Sequence, residues 1–333
     1  MRYLLLLDLV FFTNFVLALE PYSPYVDRTY PVNVYWGDTH LHSSMSVDSN
    51  LLGNKRLMPA EAYKFARGEV VIANNGMKAK LRRPLDFLLI ADHAENLGLM
   101  VELEASSPQV IETAAGENLV SKLNLFKSIS DPDEKLAASL DFQNLAEGKE
   151  NRSNVLQRSI WHRVTATADL YNDPGIFTAL IGYEWTSIGS QGGFDNLHRV
   201  VVFKDDASVV SQVLPFSRLD SDDTEELWSY LESYENKTGG EVFAIPHNGN
   251  LSNGEMFSEE TFSGRGLTTA YAKARNRWEP LYEVTQIKGD GETHPLLSPI
   301  DQFTDFERLK HIEAEAWGIK RLRRQGLTDY KGW

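Results

Sequence analysis

Histidine and acidic side chains recur directly beside short apolar runs in this chain. The run from Leu85 to Ala91 is followed by Asp92 and His93, and the run from Val242 to Ile245 is followed closely by His247. Apolar runs of four to eight residues indicate strands that are buried on both faces, which is typical of parallel sheets. Because these runs alternate with stretches of helical periodicity, the sequence predicts an α/β fold.

The predicted elements cover most of the chain. Strands are predicted where β-branched, aromatic and aliphatic residues form short runs, and helices where apolar residues recur with a period near 3.6. The predicted strands span residues 32–36, 85–91, 176–183, 198–203, 242–245 and 281–287, and the clearest predicted helices span residues 59–67 and 224–234. Residues 108–170 are mostly polar with helical periodicity, and we interpret them as an α-rich insertion.

The first 18 residues predict a signal peptide. Arg2 precedes an apolar run from Tyr3 to Ala18, which is too short for a comfortable membrane span and ends in a small-residue cleavage pattern. The alternative is a buried N-terminal helix, which Asp8 within the run favours. A signal peptide predicts a periplasmic or secreted protein that is soluble, and not membrane-bound, after cleavage.

The predicted layout has four parts. The signal peptide is followed by an extended leader, then by one large domain that contains the α-rich insertion, and finally by a basic, helical tail. The corresponding ranges are 1–18, 19–31, 32–303 with the insertion at 108–170, and 304–333.

Composition limits both the partners and the kind of metal site. The chain has 47 acidic and 33 basic residues and a formal charge of −14, which argues against a nucleic acid as its main partner. A local basic pocket for a small anionic substrate remains compatible with this charge. The chain has no cysteine, so disulfides and thiolate ligands are excluded. Any transition metal must therefore be held by histidine, aspartate and glutamate.

Most of the histidines lie at or near the ends of predicted strands. In a barrel of parallel strands the carboxyl ends open onto one face, where active sites are built, so we expect these imidazoles to converge. Imidazole and carboxylate ligands suit Zn, Mn or Fe. Glu184 follows a predicted strand and could bridge two ions at the ~3.5–4 Å separation of two-metal sites. The histidines in question are His40, His42, His93, His198 and His247.

Six ordered blocks of sequence resemble a known family. They run from about Val32 to about Pro295 and read YWGDTHLHSSMSVDS, LDFLLIADHAENLG, ALIGYEWTS, LHRVVVF, AIPHNGN and EVTQIKGDGETHP. These blocks resemble the DUF3604 family, and their order resembles the wider PHP (polymerase and histidinol phosphatase) superfamily. The resemblance implies a distorted (β/α)7 barrel of PHP type, several bound divalent ions and hydrolysis of phosphoesters by a metal-activated water.

The resemblance also implies roles for individual residues. Asp92 matches a neighbour that orients His93, and Glu184 matches the carboxylate that bridges the ions and takes part in catalysis. Arg199, next to His198, is a further candidate for the catalytic set because it could bind an anionic group of the substrate. The alternative is that Arg199 alternates away from the site. The implied metal ligands are His40, His42, His93, Glu184, His198 and His247.

Two departures from the superfamily pattern leave the function open. The stretch after the His-X-His pair offers Ser43, Ser44, Ser46 and Asp48, so one ligand position is either changed to Asp48 or lost. No Asp-X-His follows residue 295. We therefore expect a metal-dependent hydrolase, and among hydrolases we favour a phosphoesterase. The alternative is a degenerate PHP-like domain that binds metal or ligand without catalysis. A secreted carbohydrate-binding protein is a more distant third reading.

Overall fold

The computed structural model describes residues 33–112, 114–146, 153–189, 195–252, 254–286, 289–290 and 299–302. The predicted signal peptide, the leader and the tail lie outside these residues. Within the described part of the chain, no helix combines the length and the apolar character that crossing a membrane requires.

The described residues form a mixed α/β structure on a curled five-stranded sheet, accompanied by two short two-stranded sheets. This confirms the predicted α/β class. The strands are β1 Gly37–Leu41, β2 Val71–Ile72, β3 Lys78–Ala79, β4 Phe87–Ile90, β5 Thr178–Trp185, β6 Arg199–Phe203, β7 Val242–Pro246, β8 Thr285–Gln286 and β9 Gly289–Asp290. The large sheet has the order β1-β4-β5-β6-β7, while β2 pairs with β3 and β8 pairs with β9.

The direction of β6 departs from the prediction of parallel strands. β1, β4 and β5 pair in parallel, but β6 is antiparallel to both β5 and β7. A parallel neighbour would need a crossover, usually a helix, and the described residues between β5 and β6 contain no helix. The carboxyl ends of β1, β4, β5 and β7 consequently lie at one edge of the sheet, beside the amino end of β6. We call this the carboxyl edge.

The boundaries of three strands also differ from prediction. Residues 33–36 have no regular structure, and β1 begins at Gly37, where the chain pairs with Phe87 of β4. The strand predicted at 281–287 is reduced to β8, and residues 281–284 are irregular. In β5 the strand continues through Trp185. As a result, His40 and Glu184 lie within strands rather than after them.

Helices account for most of the remaining regular structure. They are α1 Val47–Leu51, α2 Pro59–Ala66, α3 Leu99–Glu104, α4 Pro108–Ile111, α5 Ala114–Ser128, α6 Pro132–Ala146, α7 Asn154–Tyr171, α8 Ala207–Val210, α9 Thr224–Thr238 and α10 Thr269–Trp278. The two helices predicted most clearly are α2 and α9. In α9 the Asp223 side chain accepts a hydrogen bond from Glu225 N, and Gly239 ends the helix at φ 72°.

The core lies between the sheet and helices α2, α7 and α9. Trp161 of α7 packs against Tyr183 of β5 and Phe203 of β6, and all three side chains are buried. Burying side chains of this size stabilises the fold by roughly 1.5–3 kcal/mol each. Although α7 falls within the segment interpreted as an insertion, it is part of this main core.

The opposite face of the sheet carries a second, smaller apolar cluster. We call this the inner face. Its buried members are Leu89, Ala91, Val200, Val202 and Ile245. The inner face leads directly to the polar residues at the carboxyl edge.

Candidate metal centre

The inner face continues at the carboxyl edge into polar side chains. Successive residues of an extended chain point to opposite sides, so residues two positions apart share a side. His93 lies two residues after Ala91, and His247 lies two residues after Ile245. The same alternation that builds the small apolar cluster therefore directs these histidines to one place.

His198 reaches this place because β6 runs in the opposite direction. It directly precedes β6 and lies two residues before Val200 of the inner face. Were β6 parallel to its neighbours, the residue before it would lie at the far edge of the sheet. The antiparallel direction therefore explains why a histidine before a strand joins histidines that follow strands.

Five imidazoles form a closed ring at the carboxyl edge. Taken in the order His40, His42, His93, His198, His247 and back to His40, neighbouring ring centroids are 5.2, 4.8, 5.5, 5.8 and 4.2 Å apart. The structure thus brings together all five histidines that the sequence suggested as ligands. Four separate segments of the chain supply them.

The carboxylate of Glu184 is shared around this ring, and its side chain is 0% exposed. Oε2 lies 2.6 Å from His42 Nε2 and 3.0 Å from His40 Nε2. Oε1 lies 2.6 Å from His198 Nδ1 and 2.9 Å from His247 Nε2. Each oxygen of one carboxylate therefore faces its own pair of imidazoles, an arrangement that suits the bridging of two cations.

His93 and Asp48 extend the cluster. His93 Nε2 lies 3.8 Å from Glu184 Oε2 and 3.6 Å from Asp48 Oδ2. Both carboxylate oxygens of Asp48 lie 3.2 Å from His42 Nδ1, and Ser46 Oγ donates a hydrogen bond to one of them. Of the residues that follow the His-X-His pair, Asp48 therefore supplies a carboxylate to the cluster.

The outward-facing nitrogens of two histidines have fixed partners. His40 Nδ1 lies 2.6 Å from Glu283 Oε2, and His93 Nδ1 lies 2.6 Å from Thr186 Oγ1. An imidazole that donates a hydrogen bond from Nδ1 keeps a lone pair on Nε2, the nitrogen that faces Glu184 in both residues. The Glu283 carboxylate can only accept, so it favours this tautomer in His40, whereas the Thr186 hydroxyl can donate or accept and fixes the position of His93 without selecting its tautomer.

The cluster attracts positive charge strongly. Burial by itself would lower the pKa of His40, but the negative charge of Glu184, with a contribution from Glu283, raises it to about 9. For His42, burial is likewise outweighed, and Asp48 and Glu184 raise its pKa well above the ordinary value. Burial would raise the pKa of Glu184, but the surrounding imidazoles hold it well below its usual range.

His247 has a different environment from the other members of the ring. Its side chain is completely buried, and burial holds its pKa well below the ordinary value despite the charge of Glu184. It is therefore a neutral imidazole at physiological pH, the form that binds metals. Its Nδ1 atom is buried and has no hydrogen-bond partner among the described residues.

Asp92 does not orient His93 as the resemblance implied. Adjacent residues of an extended segment face opposite sides, and the buried Asp92 carboxylate instead accepts hydrogen bonds from the backbone N and the Oγ of Ser43. Burial raises its pKa to about 6, although the Ser43 contacts lower it. Asp92 thus anchors the residue that follows His42, and the position of His93 depends on Thr186.

Arg199 does not reach the cluster, so it is not placed to bind a substrate anion there. It follows His198 and faces the helix-covered side of the sheet, where it is 3% exposed. Its Nε donates to Glu279 Oε1 at 3.0 Å, and its guanidinium lies over the ring of Trp185. The alternative was that Arg199 alternates away from the site; it does so, but into the core rather than to the surface.

Two residues that form hydrogen bonds with ring histidines were absent from the sequence candidates. Thr186 had a signal, since it lies two residues after Glu184 and strand alternation puts both on one side. No feature of the sequence distinguished Glu283 from the other acidic residues of the chain. Its backbone N donates to Pro246 O at 3.0 Å, which places it beside His247.

Several overlapping sets of these side chains could hold a cation. In each set, three ligand atoms lie within 4.8 Å of one another. Imidazole nitrogens combined with carboxylate oxygens suit Zn, Mn or Fe. Among the described residues the sets are His40 with His42 and Glu184; His40 with His247 and Glu283; His42 with Asp48 and His93; and His93 with Glu184 and His198.

Comparison with known proteins gives a family match only. The family described as "Protein of unknown function (DUF3604)" matches residues 29–326. No curated protein and no solved structure matches the chain.

Proposed function

The chain belongs to the DUF3604 family, and we propose that it is a metal-dependent hydrolase whose substrates are phosphoesters. The observation that carries this proposal is the position of Glu184, a fully buried carboxylate with two imidazoles at each oxygen. A buried carboxylate in contact with four histidines is an expensive arrangement for stability alone, and it suits a function that requires concentrated cation ligands.

The proposed ligands are the five ring histidines and Glu184. Their chemistry fits divalent ions, since the donors are borderline nitrogens and hard oxygens without thiolates. The Nδ1 atom of His247 is buried and has no partner among the described residues. Buried polar atoms usually have one, so this atom is consistent with a site that binds a further group. We propose about two or three ions per chain, the lower number corresponding to a two-metal hydrolytic site.

Divalent ions held in such a site supply Lewis acidity and lower the pKa of a bound water toward ~7. The protein's own residues contribute orientation. Glu283 and Thr186 hold the outer nitrogens of His40 and His93. Asp92 holds the backbone that follows the His-X-His pair, and its burial shields these hydrogen bonds from solvent. Such rigid positioning lowers the reorganisation needed when charge develops on a substrate.

We also propose that the curled sheet is part of a PHP-type (β/α)7 barrel. Support comes from the order in which the site is assembled: a His-X-His pair at the first strand, His93 after the next strand of the sheet, a strand-borne Glu184, and then single histidines. The proposal further includes export through the N-terminal segment and a small anionic substrate. These two points rest on the sequence pattern and on the expected ions.

Metal analysis combined with a substrate panel tests the hydrolase proposal. Purified protein is loaded with Zn or Mn, dialysed, analysed for metal, and assayed on phosphate monoesters, phosphate diesters and carboxylic esters. The variants are His40→Ala and Glu184→Ala, and the matched control is His162→Ala, because His162 is exposed on α7. We expect wild type and control to bind metal and hydrolyse a phosphoester, and the two site variants to lose both properties.

The possible results separate the two functional readings. Unchanged metal content in both site variants would contradict the ligand assignment. Bound metal without turnover of any ester would favour the alternative, a degenerate PHP-like domain that binds without catalysis. Turnover of carboxylic esters alone would keep the hydrolase and reject the phosphoesterase.

A further inference from the structure

Asn248 is a buried amide without a partner at the carboxyl edge. Its side chain is 2% exposed, and neither Nδ2 nor Oδ1 has a hydrogen-bond partner within the described part of the chain. Because both atoms of the amide lack a partner, exchanging their assignment would not satisfy either. Buried amide groups are almost always hydrogen-bonded, so an unpartnered one calls for a ligand or another explanation.

The backbone of Asn248 is also unusual. Its φ is +64°, a region that residues other than glycine rarely adopt and that is associated with functional sites. The described residues contain three such non-glycine positions, Asn96, Ser106 and Asn248. Asn96 lies in the loop after His93 and Asn248 directly follows His247, so two of the three lie in loops that carry site histidines.

Asn96 repeats the pattern in the loop that follows His93. Its φ is +56°, and its Nδ2 atom is buried without a partner among the described residues. Its backbone O accepts a hydrogen bond from Leu99 N, which ties the loop to the start of α3. Two loops that each follow a site histidine thus present an unused buried amide donor.

The two residues that precede Asn248 are tied to other segments of the cluster by backbone hydrogen bonds. The backbone N of His247 donates to His198 O at 3.3 Å, and the backbone N of Glu283 donates to Pro246 O. The residue therefore follows a segment that is held between two other site segments. Its left-handed backbone begins the short turn Gly249–Leu251 at this edge of the sheet.

We propose that Asn248, assisted by Asn96, binds the phosphoryl group of the substrate, with each Nδ2 donating a hydrogen bond to a phosphoryl oxygen. In Asn248 the Oδ1 atom accepts from a hydroxyl group that accompanies the phosphoryl group. Neutral donors suit an anion whose charge is balanced by cations, because they add direction without adding charge. This inference rests on the proposed phosphoesterase function.

Phosphate binding provides a test that does not depend on turnover. Inorganic phosphate is titrated by calorimetry into metal-loaded wild type, Asn248→Gly and Asn248→Asp. Glycine removes the amide and tolerates the positive φ, whereas aspartate keeps the size and replaces the donor with a carboxylate. The matched control is Ser106→Gly, which relieves a φ of +53° at an exposed position outside the site.

We expect the dissociation constant for phosphate to rise about tenfold in Asn248→Gly, which corresponds to about 1.4 kcal/mol, and further in Asn248→Asp. Metal content and thermal stability of Asn248→Gly should match those of Ser106→Gly. Phosphate affinity within twofold of wild type in Asn248→Gly would overturn the role of Asn248 and leave the hydrolase proposal standing. A melting temperature far below that of Ser106→Gly would show a structural role instead.

Two further results bear on the ligand class. If wild-type protein binds metal but not phosphate, the assignment of the two amides to a phosphoryl group is overturned, and the ester panel decides separately whether the protein is a phosphoesterase. If Asn96→Gly lowers phosphate affinity in the same direction as Asn248→Gly, the assignment of both amides to one ligand is supported.

Discussion

His40 and Glu283 are 243 residues apart in the sequence, yet Nδ1 of the imidazole lies 2.6 Å from Oε2 of the carboxylate. The other nitrogen of His40 faces Glu184 at 3.0 Å. Once a cation replaces the proton on Nε2 of His40, Glu283 can hold the remaining proton on Nδ1, because a carboxylate only accepts hydrogen bonds. Hydrogen-bonded carboxylates behind metal-binding histidines commonly act in this way.

Replacing Glu283 should weaken metal binding without removing it. In Glu283→Ala the imidazole of His40 loses the partner that fixes its tautomer, and we expect metal affinity to fall about tenfold or more. Competition with a chromogenic chelator measures this affinity. Glu283→Gln, which can still accept the hydrogen bond, should show a smaller loss, and Glu241→Gln, at an exposed ion pair with Lys204, should show none. Wild-type affinity in Glu283→Ala would contradict the positioning role.

Glu184→Gln should affect the metal-free protein as well as the metal-loaded one. The substitution preserves size but removes a negative charge that raises the pKa of His40 and, together with Asp48, the pKa of His42. Leaving buried charges uncompensated costs about 3–5 kcal/mol, so urea unfolding of chelator-treated protein at pH 7 should show a clear loss of stability. Glu232→Gln, at an exposed position of α9, is the control. Equal unfolding curves for the variant and wild type would reject the electrostatic role of Glu184.

The stability of the metal-free protein should fall as pH rises above neutrality. His40 has a folded-state pKa of about 9 against an ordinary value of 6.5. A raised pKa in a basic group contributes stability that is fully present below pH 6.5 and is lost as pH rises through 9. Melting temperatures of chelator-treated protein between pH 6.5 and pH 10 measure this loss.

Metal binding should show the opposite dependence on pH. The proton on His40 must leave before a cation can bind its nitrogen, so apparent affinity for Zn should increase from pH 6.5 toward pH 9. His40→Gln should flatten the stability profile, whereas His162→Gln should leave both profiles unchanged. A metal affinity independent of pH in the wild type would be inconsistent with His40 as a ligand.

Arg199 should matter for stability rather than for metal or substrate binding. Its Nε donates to the buried Glu279, which also accepts a hydrogen bond from Trp228 Nε1 at 2.9 Å. Arg199→Ala leaves that carboxylate partly uncompensated and should cost about 3 kcal/mol, measured by urea unfolding. The variant should retain wild-type metal content and phosphate affinity. A specific loss of phosphate affinity, at unchanged stability, would restore Arg199 as an anion-binding residue.

The sequence predicted most of the candidate site because the relevant residues lie at or near the ends of strands. His93 and His247 each lie two residues after an apolar run, so the position of the predicted strand end identified them. His198 was identified for a reason that the structure corrects, since it precedes an antiparallel strand. Strand direction depends on which neighbour the chain pairs with, and the sequence of β6 alone does not specify this.

The remaining differences have physical causes that local sequence does not reveal. Residues 32–36 have a better β composition than Gly37–Leu41, but pairing with Phe87 of β4 places the strand at the latter. Arg199 was assigned to the site because it is adjacent to His198, yet adjacent strand residues face opposite sides. Glu283 enters the site through tertiary contacts from an irregular segment, and no periodicity marks it.

The contact between His40 and Glu283 also constrains the order of events during synthesis and folding. A ribosome makes the chain from its amino end, so the His-X-His pair is synthesised long before its distant carboxylate exists. Synthesis must proceed past Glu283 before this histidine can acquire its final tautomer. We therefore expect ion capture to be among the last events in maturation, and a nascent chain arrested before residue 283 to bind metal more weakly than the finished protein.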